Sequence, residues 1–259
     1  MIADRIKTVA RRMALYTRDF LFPPRCVGCG EFLAPFDKSA PIFCPMCRTA
    51  WEAGRGEWLR CGHRDPAHVN LVAYHTGRAD GVPERLIYHI KHKDEARVFS
   101  AVAGYLAPNV MQVCQELCSL FPSRRAPSVL VSYPPRSRRA KRKDGFDQAE
   151  RLSRALARRC GYRHVKLLSR THAFVYEQKR LGQQDRRENA IRAYRLTRRA
   201  NKTVCGQIVV LVDDLVTTGA TLHTCADLLH SAGAVAVVYA SVAHTVSRNT
   251  PNTSTQKGK

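Results

Sequence analysis

The stretch VVLVDDLVTTGAT, residues 209–221, constrains the fold of this chain more than any other segment. With Gln207 and Ile208 before it, it opens as a continuous apolar run of the kind buried on both faces of a parallel sheet. Asp213 and Asp214 close that run, and Thr217, Thr218, Gly219, Ala220 and Thr221 lead from it into a helix. Backbone N–H groups at a helix start, a glycine that lets the chain turn closely and threonine hydroxyls make a cradle for one phosphate. Two neighbouring carboxylates would repel that phosphate, but ionised acids are acceptor-only partners suited to vicinal hydroxyls such as those of a ribose. The motif thus describes a ribose with a 5′-phosphate. A P-loop would need a lysine after its second glycine, and a dinucleotide fold would need GxGxxG after its first strand; neither is present. A structural turn that happens to be rich in threonine is the plain alternative.

Charge agrees with an anionic ligand. Lys and Arg number 43 against 21 acids, a formal net charge of +22, which attracts polyanions in a salt-dependent way. Solubility alone would also account for such a surplus. The 44% apolar content supports a real core. No run of 18 apolar residues exists, and MIADRIKTVARRMALYTRDF lacks the apolar centre of a signal peptide, so a cytoplasmic protein is expected. Ile2, Ile6, Val9, Met13 and Phe20 recur at helical spacing among basic residues. They define a basic amphipathic helix over 1–22, packed on its own domain or, alternatively, on a membrane surface or a partner.

Ten cysteines in such a chain argue for metal or for small buried residues rather than for disulfides. Cys26 and Cys29 form one CxxC, and Cys44 and Cys47 form a second. Gly28 and Gly30 in the first and Pro45 in the second supply the tight bends, so a four-thiolate structural zinc site is expected. A catalytic zinc would need an open position, which four thiolates do not leave. Cys61 and His63, in RCGHRD, read as remains of a further knuckle or as a substitute ligand, without a partner cysteine. Cys114, Cys118, Cys160, Cys205 and Cys225 read as core residues.

The zinc-ribbon domain spans 23–66, and an α/β domain follows over 67–245. Helix is expected over 84–106, with a second helical stretch after Pro108, and strand over 128–133, halted by Pro134 and Pro135. A helix from about 147 to 160 has Asp147 as N-cap and Gly161 as its stop. Residues 164–168 read as a strand, and 170–200 as a long arginine-rich loop of the functional kind. Residues 221–232 read as a helix, 234–244 as another strand and 246–259 as a disordered tail. Strands alternating with helices imply a doubly wound sheet whose ligands sit beyond the carboxyl ends of its strands.

VVLVDDLVTTGAT resembles the PRPP-binding signature of type I phosphoribosyltransferases. The resemblance implies that Asp213 and Asp214 hold the ribose hydroxyls at the reacting centre, and that Thr217, Thr218, Gly219, Ala220 and Thr221 hold the 5′-phosphate. Joined to an N-terminal cysteine ribbon, the domain is similar to the ComF family, the competence-associated group with GntX-like members. Three further stretches carry that likeness: YHIKHKDEARVFSAVAGYL (88–106) with Lys91, VSYPPRSRRAKRKDGFDQAERLSRAL (131–156), and QKRLGQQDRREN (178–189) with Gln178, Leu181, Arg186 and Asn189. The family's GFNQ is here Gly145-Phe146-Asp147-Gln148, its preceding arginine is Asp144 and its VPVP is VSYP. Two extra acids near a pyrophosphate site weigh against turnover more than against PRPP binding.

The family pattern implies a pyrophosphate turn at Tyr133, Arg136, Ser137 and Arg138, helped by Lys91, and a closing loop that brings Arg186 and Asn189. It implies Mg²⁺ with PRPP, beside the structural zinc. The activity implied is pentosyl transfer from PRPP to a base or nucleotide, by a protein of DNA uptake or of the utilisation of imported DNA. Its implied partners are single-stranded DNA or nucleotides, a competence helicase or other uptake machinery and a second copy in a homodimer, with a place at the inner face of the membrane. The alternative is a zinc-ribbon factor that binds single-stranded DNA and whose PRPP site is regulatory.

Overall fold

The computed structural model describes residues 21, 23–33, 42–55, 67–75, 81–122, 126–171 and 193–246. Cys61, His63, the 178–189 stretch with Arg186 and Asn189, the tail from 247 and all but Leu21 of the expected N-terminal helix lie outside them. The described chain runs α1 (Pro45–Gly54), β1 (His68–His75), α2 (Val82–His92), α3 (Ala96–Ser119), β2 (Val129–Ser132), α4 (Arg138–Asp144), α5 (Gln148–Cys160) and β3 (Arg163–His164). It continues with β4 (Leu168–Arg170), β5 (Tyr194–Leu196), α6 (Ala200–Val204), β6 (Ile208–Val216), α7 (Ala220–Ser231) and β7 (Ala236–Val246). Five strands form one parallel sheet in the order β1-β7-β6-β2-β3, and β4 pairs with β5 in a separate antiparallel ribbon.

β6 sits at the centre because its residues are apolar on both faces. Ile208, Val210 and Val212 turn into a core shared with α2, α3 and α5, through Leu86, Ile90, Val102, Leu106, Leu152 and Leu156. Val209 and Leu211 turn to the other side, against α6, α7 and the ribbon, through Val204, Leu222, Cys225, Leu229, Leu168 and Tyr194. A strand alternates its side chains with period two, so an unbroken apolar run is what a sheet covered on both faces demands.

Five expectations are modified. The long loop expected over 170–200 holds the end of β4 and all of β5. Of the cysteines expected in the core, Cys205 is exposed and Cys118 only half-buried. The expected 84–106 helix is broken at Lys93, Asp94 and Glu95, where Glu95 takes the N-cap place of α3. Pro108 does not interrupt helix: it lies inside α3 on an exposed face, where the lost N–H is tolerated. The expected 164–168 strand is two strands in two sheets, since β3 extends the main sheet while β4 leaves it for the ribbon. The helix at 148–160 stands as expected, capped by the Asp147 side chain and stopped by Gly161 at φ +72°.

Leu211→Ala is expected to remove about 2–5 kcal/mol of stability, because the fully buried side chain leaves a cavity between β6 and α7. Urea unfolding followed by circular dichroism measures it.

Candidate functional site

β6 runs through the two acids to Val216, so Asp213 and Asp214 belong to the strand end rather than to the loop. The strand's alternation sends them to opposite faces. Asp213 lies on the α7 side, lining with residues 215–222 a cradle of about 50 Å³. Such a volume has room for a small group only. Asp214 lies on the α5 side, where its Oδ2 accepts from Gln148 Nε2 at 3.3 Å. The backbone links the pair: Asp214 N–H donates to Asp213 Oδ1, and Leu215 N–H to Asp214 Oδ1, both at 2.9 Å.

In the cradle Gly219 has φ +72°, the left-handed region, and a Cβ there would sit 3.2 Å from the His223 ring. No side chain beyond this point caps α7, although Thr218 Oγ1 accepts from Ala220 N–H at 3.4 Å. The helix therefore opens on the cradle with its positive end. Burial, and then the Asp214 carboxylate, hold the Asp213 carboxyl well above its ordinary range. On the ribbon, Arg170 Nη1 lies 3.4 Å from the Tyr194 phenol and its guanidinium 5.4 Å from the ring centroid. Burial pushes that phenol up to about 12, and it lies close enough to Asp213 to feel its charge.

The turn after β2 is built on a second set of contacts. Tyr133 is buried, its ring stacked on His164 at 5.8 Å and 12°, and burial with the Glu150 carboxylate keeps the phenol neutral. The Lys141 ammonium lies 6.0 Å from the centroid of the same ring. Ser137 Oγ caps α4 by accepting from Ala140 N–H at 3.1 Å. Arg138 is exposed at the start of α4. Arg136 Nη1 pairs with Asp144 Oδ2 and donates to Gln148 Oε1, both at 2.7 Å. Its backbone N–H donates to Asp147 Oδ2 at 3.1 Å. Asp147 also pairs with Lys141 at 2.8 Å and caps α5 through Glu150 N–H at 3.4 Å.

Both acids that set this turn apart from the family pattern are therefore paired with its own cations. Lys91 is half-buried in the last turn of α2 and is not among the residues in contact around the diacid. Gln148, Lys141, Arg170 and Tyr194 carry the site without a role assigned from sequence. The only sequence signal for Gln148 was its place in GFDQ, and nothing local marked the other three.

The four cysteine Sγ atoms lie within 4.8 Å of one another, with Cys29 and Cys44 at 3.7 Å. Four thiolates on a tetrahedral ion at ~2.3 Å stand about 3.8 Å apart, so the cluster has the dimensions of a metal site. Gly28 is required there, since a Cβ would lie 2.7 Å from Cys47 Sγ. Burial works to raise the Cys26 thiol, but N–H donors from Cys44, Cys29 and Gly28 outweigh it and bring it to about 7, favouring the thiolate. Ile42, Phe43 and Trp51 carry this segment into the core of β1, α2 and α3, with Trp51 5.8 Å from Tyr105 between ring centroids.

The strand-end diacid and cradle on a doubly wound sheet define a phosphoribosyltransferase-type domain, and residues 143–256 match the family model of the phosphoribosyl transferase domain. The chain is 31% identical over 198 residues to the DNA utilization protein YhgH of Escherichia coli K12, covering 75% of this chain and 80% of that protein. It is 34% identical over 89 residues to competence protein F of Haemophilus influenzae, covering 34% of this chain and 38% of that protein. This chain belongs to the family of YhgH and competence protein F.

The raised Asp213 carboxyl gives a stability prediction. Stability from this group is fully present below its ordinary value of 3.8 and is lost as pH rises through the higher folded value. Asp213→Asn should therefore melt at least about 2 °C above the wild type at neutral pH, with the gap closing toward pH 4. Thermal melts across that range measure it.

Proposed function

We propose that the protein binds PRPP across the end of β6. Asp213 and Asp214 take the ribose hydroxyls, Thr217 to Thr221 the 5′-phosphate, and Arg136 with Arg138 the pyrophosphate. The observation that carries this reading is the division of the diacid, with Asp213 beside the phosphate cradle and Asp214 joined through Gln148 to Arg136. The two carboxylates are hard oxygen donors of the kind Mg²⁺ takes, and Mg²⁺ bound with PRPP would neutralise charge on the leaving group.

Displacement at C1 forms a bond to the acceptor and breaks the bond to pyrophosphate through an oxocarbenium-like transition state. The protein's part is to position the ribose, stabilise positive charge with its carboxylates and hold the departing anion with arginine. Arg186 and Asn189 of the 170–200 segment would close over the site and exclude water. The names of its relatives support a role for this chemistry in DNA uptake or the utilisation of imported DNA, with a base or nucleotide as acceptor.

A second reading has a specific observation behind it. An open groove of about 870 Å³ lies between the cysteine segment and α2, lined by Arg25, Arg85, Lys93 and Arg97, by the acids Asp94 and Glu95, and by the exposed Tyr88. Cations beside an exposed aromatic ring suit a single-stranded nucleic acid. In this reading the PRPP site regulates DNA handling and turns nothing over. We further infer that the cysteine cluster holds zinc, the usual ion for four thiolates with CxxC spacing.

Calorimetry with Mg²⁺ and PRPP, pyrophosphate release with a panel of bases, and salt-dependent binding of single-stranded DNA separate the readings. Asp213→Ala/Asp214→Ala should weaken PRPP at least about tenfold. Loss of PRPP binding with DNA binding intact would establish two separate sites. A wild type that binds no PRPP sinks the assignment of the cradle. Metal analysis should find zinc stoichiometric with the chain, and its removal by a strong chelator should lower Tm; a metal-free preparation with unchanged Tm would refute the zinc site.

A further inference from the structure

We propose that Gln148 is a positioning residue that ties the Asp214 carboxylate to the Arg136 guanidinium. The ribose and pyrophosphate halves of the site are thereby coupled through one buried amide. This deepens the PRPP reading and rests on it.

Gln148 occupies the first position of α5, directly after the Asp147 cap, and is only 7% exposed. Packing alone would be served there by an apolar side chain, and a buried amide without partners costs about 1–3 kcal/mol. Both of its ends are engaged with charged groups. Oε1 accepts from Arg136 Nη1 at 2.7 Å, and Nε2 donates to Asp214 Oδ2 at 3.3 Å. A carboxamide has one accepting and one donating end, so a cation on one side and a carboxylate on the other allow a single orientation.

The consequences at the two groups differ. Asp214 is held at both oxygens, by Leu215 N–H on Oδ1 and by Gln148 on Oδ2, while each oxygen keeps a lone pair for a hydroxyl. Arg136 is held by Nη1 alone, between Gln148 and Asp144. Among the described residues its Nε and Nη2 donate no hydrogen bond, which presents a donor fork suited to phosphate oxygens. An anion that fixes this fork orders Arg136, and through the Gln148 amide it holds the Asp214 carboxylate in place for the ribose.

Ribose 5-phosphate and inorganic pyrophosphate serve as separate calorimetric probes of the full-length protein with Mg²⁺. In the wild type, saturating pyrophosphate should tighten ribose 5-phosphate about fivefold. Gln148→Leu, which removes both arms, should abolish that linkage. Gln148→Glu keeps an acceptor for Arg136 but sets it against Asp214, and should weaken ribose 5-phosphate about tenfold and pyrophosphate by less. Its deficit relative to wild type at the same pH should shrink from about pH 7.5 to about pH 5.5, as a protonated Glu regains a donor. A merely structural role would not produce that profile.

Arg136→Gln changes a partly exposed side chain, and so serves if the Gln148 variants fail to fold; it should alter ribose 5-phosphate affinity without touching the sugar. The inference is overturned, and the PRPP reading kept, if the wild type binds both probes and Gln148→Glu matches it at every pH. It is equally overturned if Arg136→Gln leaves ribose 5-phosphate affinity unchanged. A wild type that binds neither probe overturns the reading and the inference together.

Discussion

β6 is buried on both faces, and the alternation of its side chains organises everything built around it. Ile208 to Val212 settle two cores in one stroke, and the same alternation, carried two residues further, sends Asp213 and Asp214 to opposite sides. Carboxylates at such a depth are costly, and the strain shows in the raised Asp213 carboxyl. What the chain gains is reach, since one dipeptide lines the cradle with one acid and meets Gln148, beside the turn after β2, with the other.

The two sides are held by different physics. The cradle is anchored in an apolar core, through Leu222, Cys225 and Leu229 of α7. The turn opposite depends on polar clamps, because α4 has no buried residue. Ser137 caps it, Gly145 ends it at φ +78°, and Lys141 reaches back to Asp147. Asp147 fastens the Arg136 backbone, the first turn of α5 and, with Glu150, the Lys141 ammonium. In a chain of net charge +22 these acids hold the cations in place without consuming the outward edge of Arg136. α4 itself rests on these clamps, between the buried Tyr133 and Phe146 that flank it.

The cysteine segment is joined to the same body. Arg85 Nη1 donates to Gly28 O at 2.6 Å and Arg97 Nη2 to Arg25 O at 2.7 Å, so α2 and the start of α3 grip the first knuckle by its backbone. A metal at the four thiolates would therefore stiffen one wall of the groove along α2 as well as the knuckles themselves. No helix among the described residues is long and apolar enough to cross a membrane.

Much of this was legible in the chain. The period of β6, the glycine and threonines of the cradle, the paired CxxC motifs and the capped helix at 148–160 are local patterns, encoded by near neighbours whatever the rest of the molecule does. Other features were not. The helix break at Lys93 to Glu95 has no proline or glycine to announce it, and the 164–168 stretch divides because its two ends find different partner strands. By itself the sequence determined that two acids end a buried strand before a phosphate cradle, and that four thiolates can close on one ion. Only the tertiary structure decided that Asp214 meets Gln148 and Gln148 meets Arg136, that Arg170 meets the Tyr194 phenol, and that Tyr133 stacks on His164. Those contacts join residues 12 to 66 positions apart, and they form only when both faces of the sheet are packed.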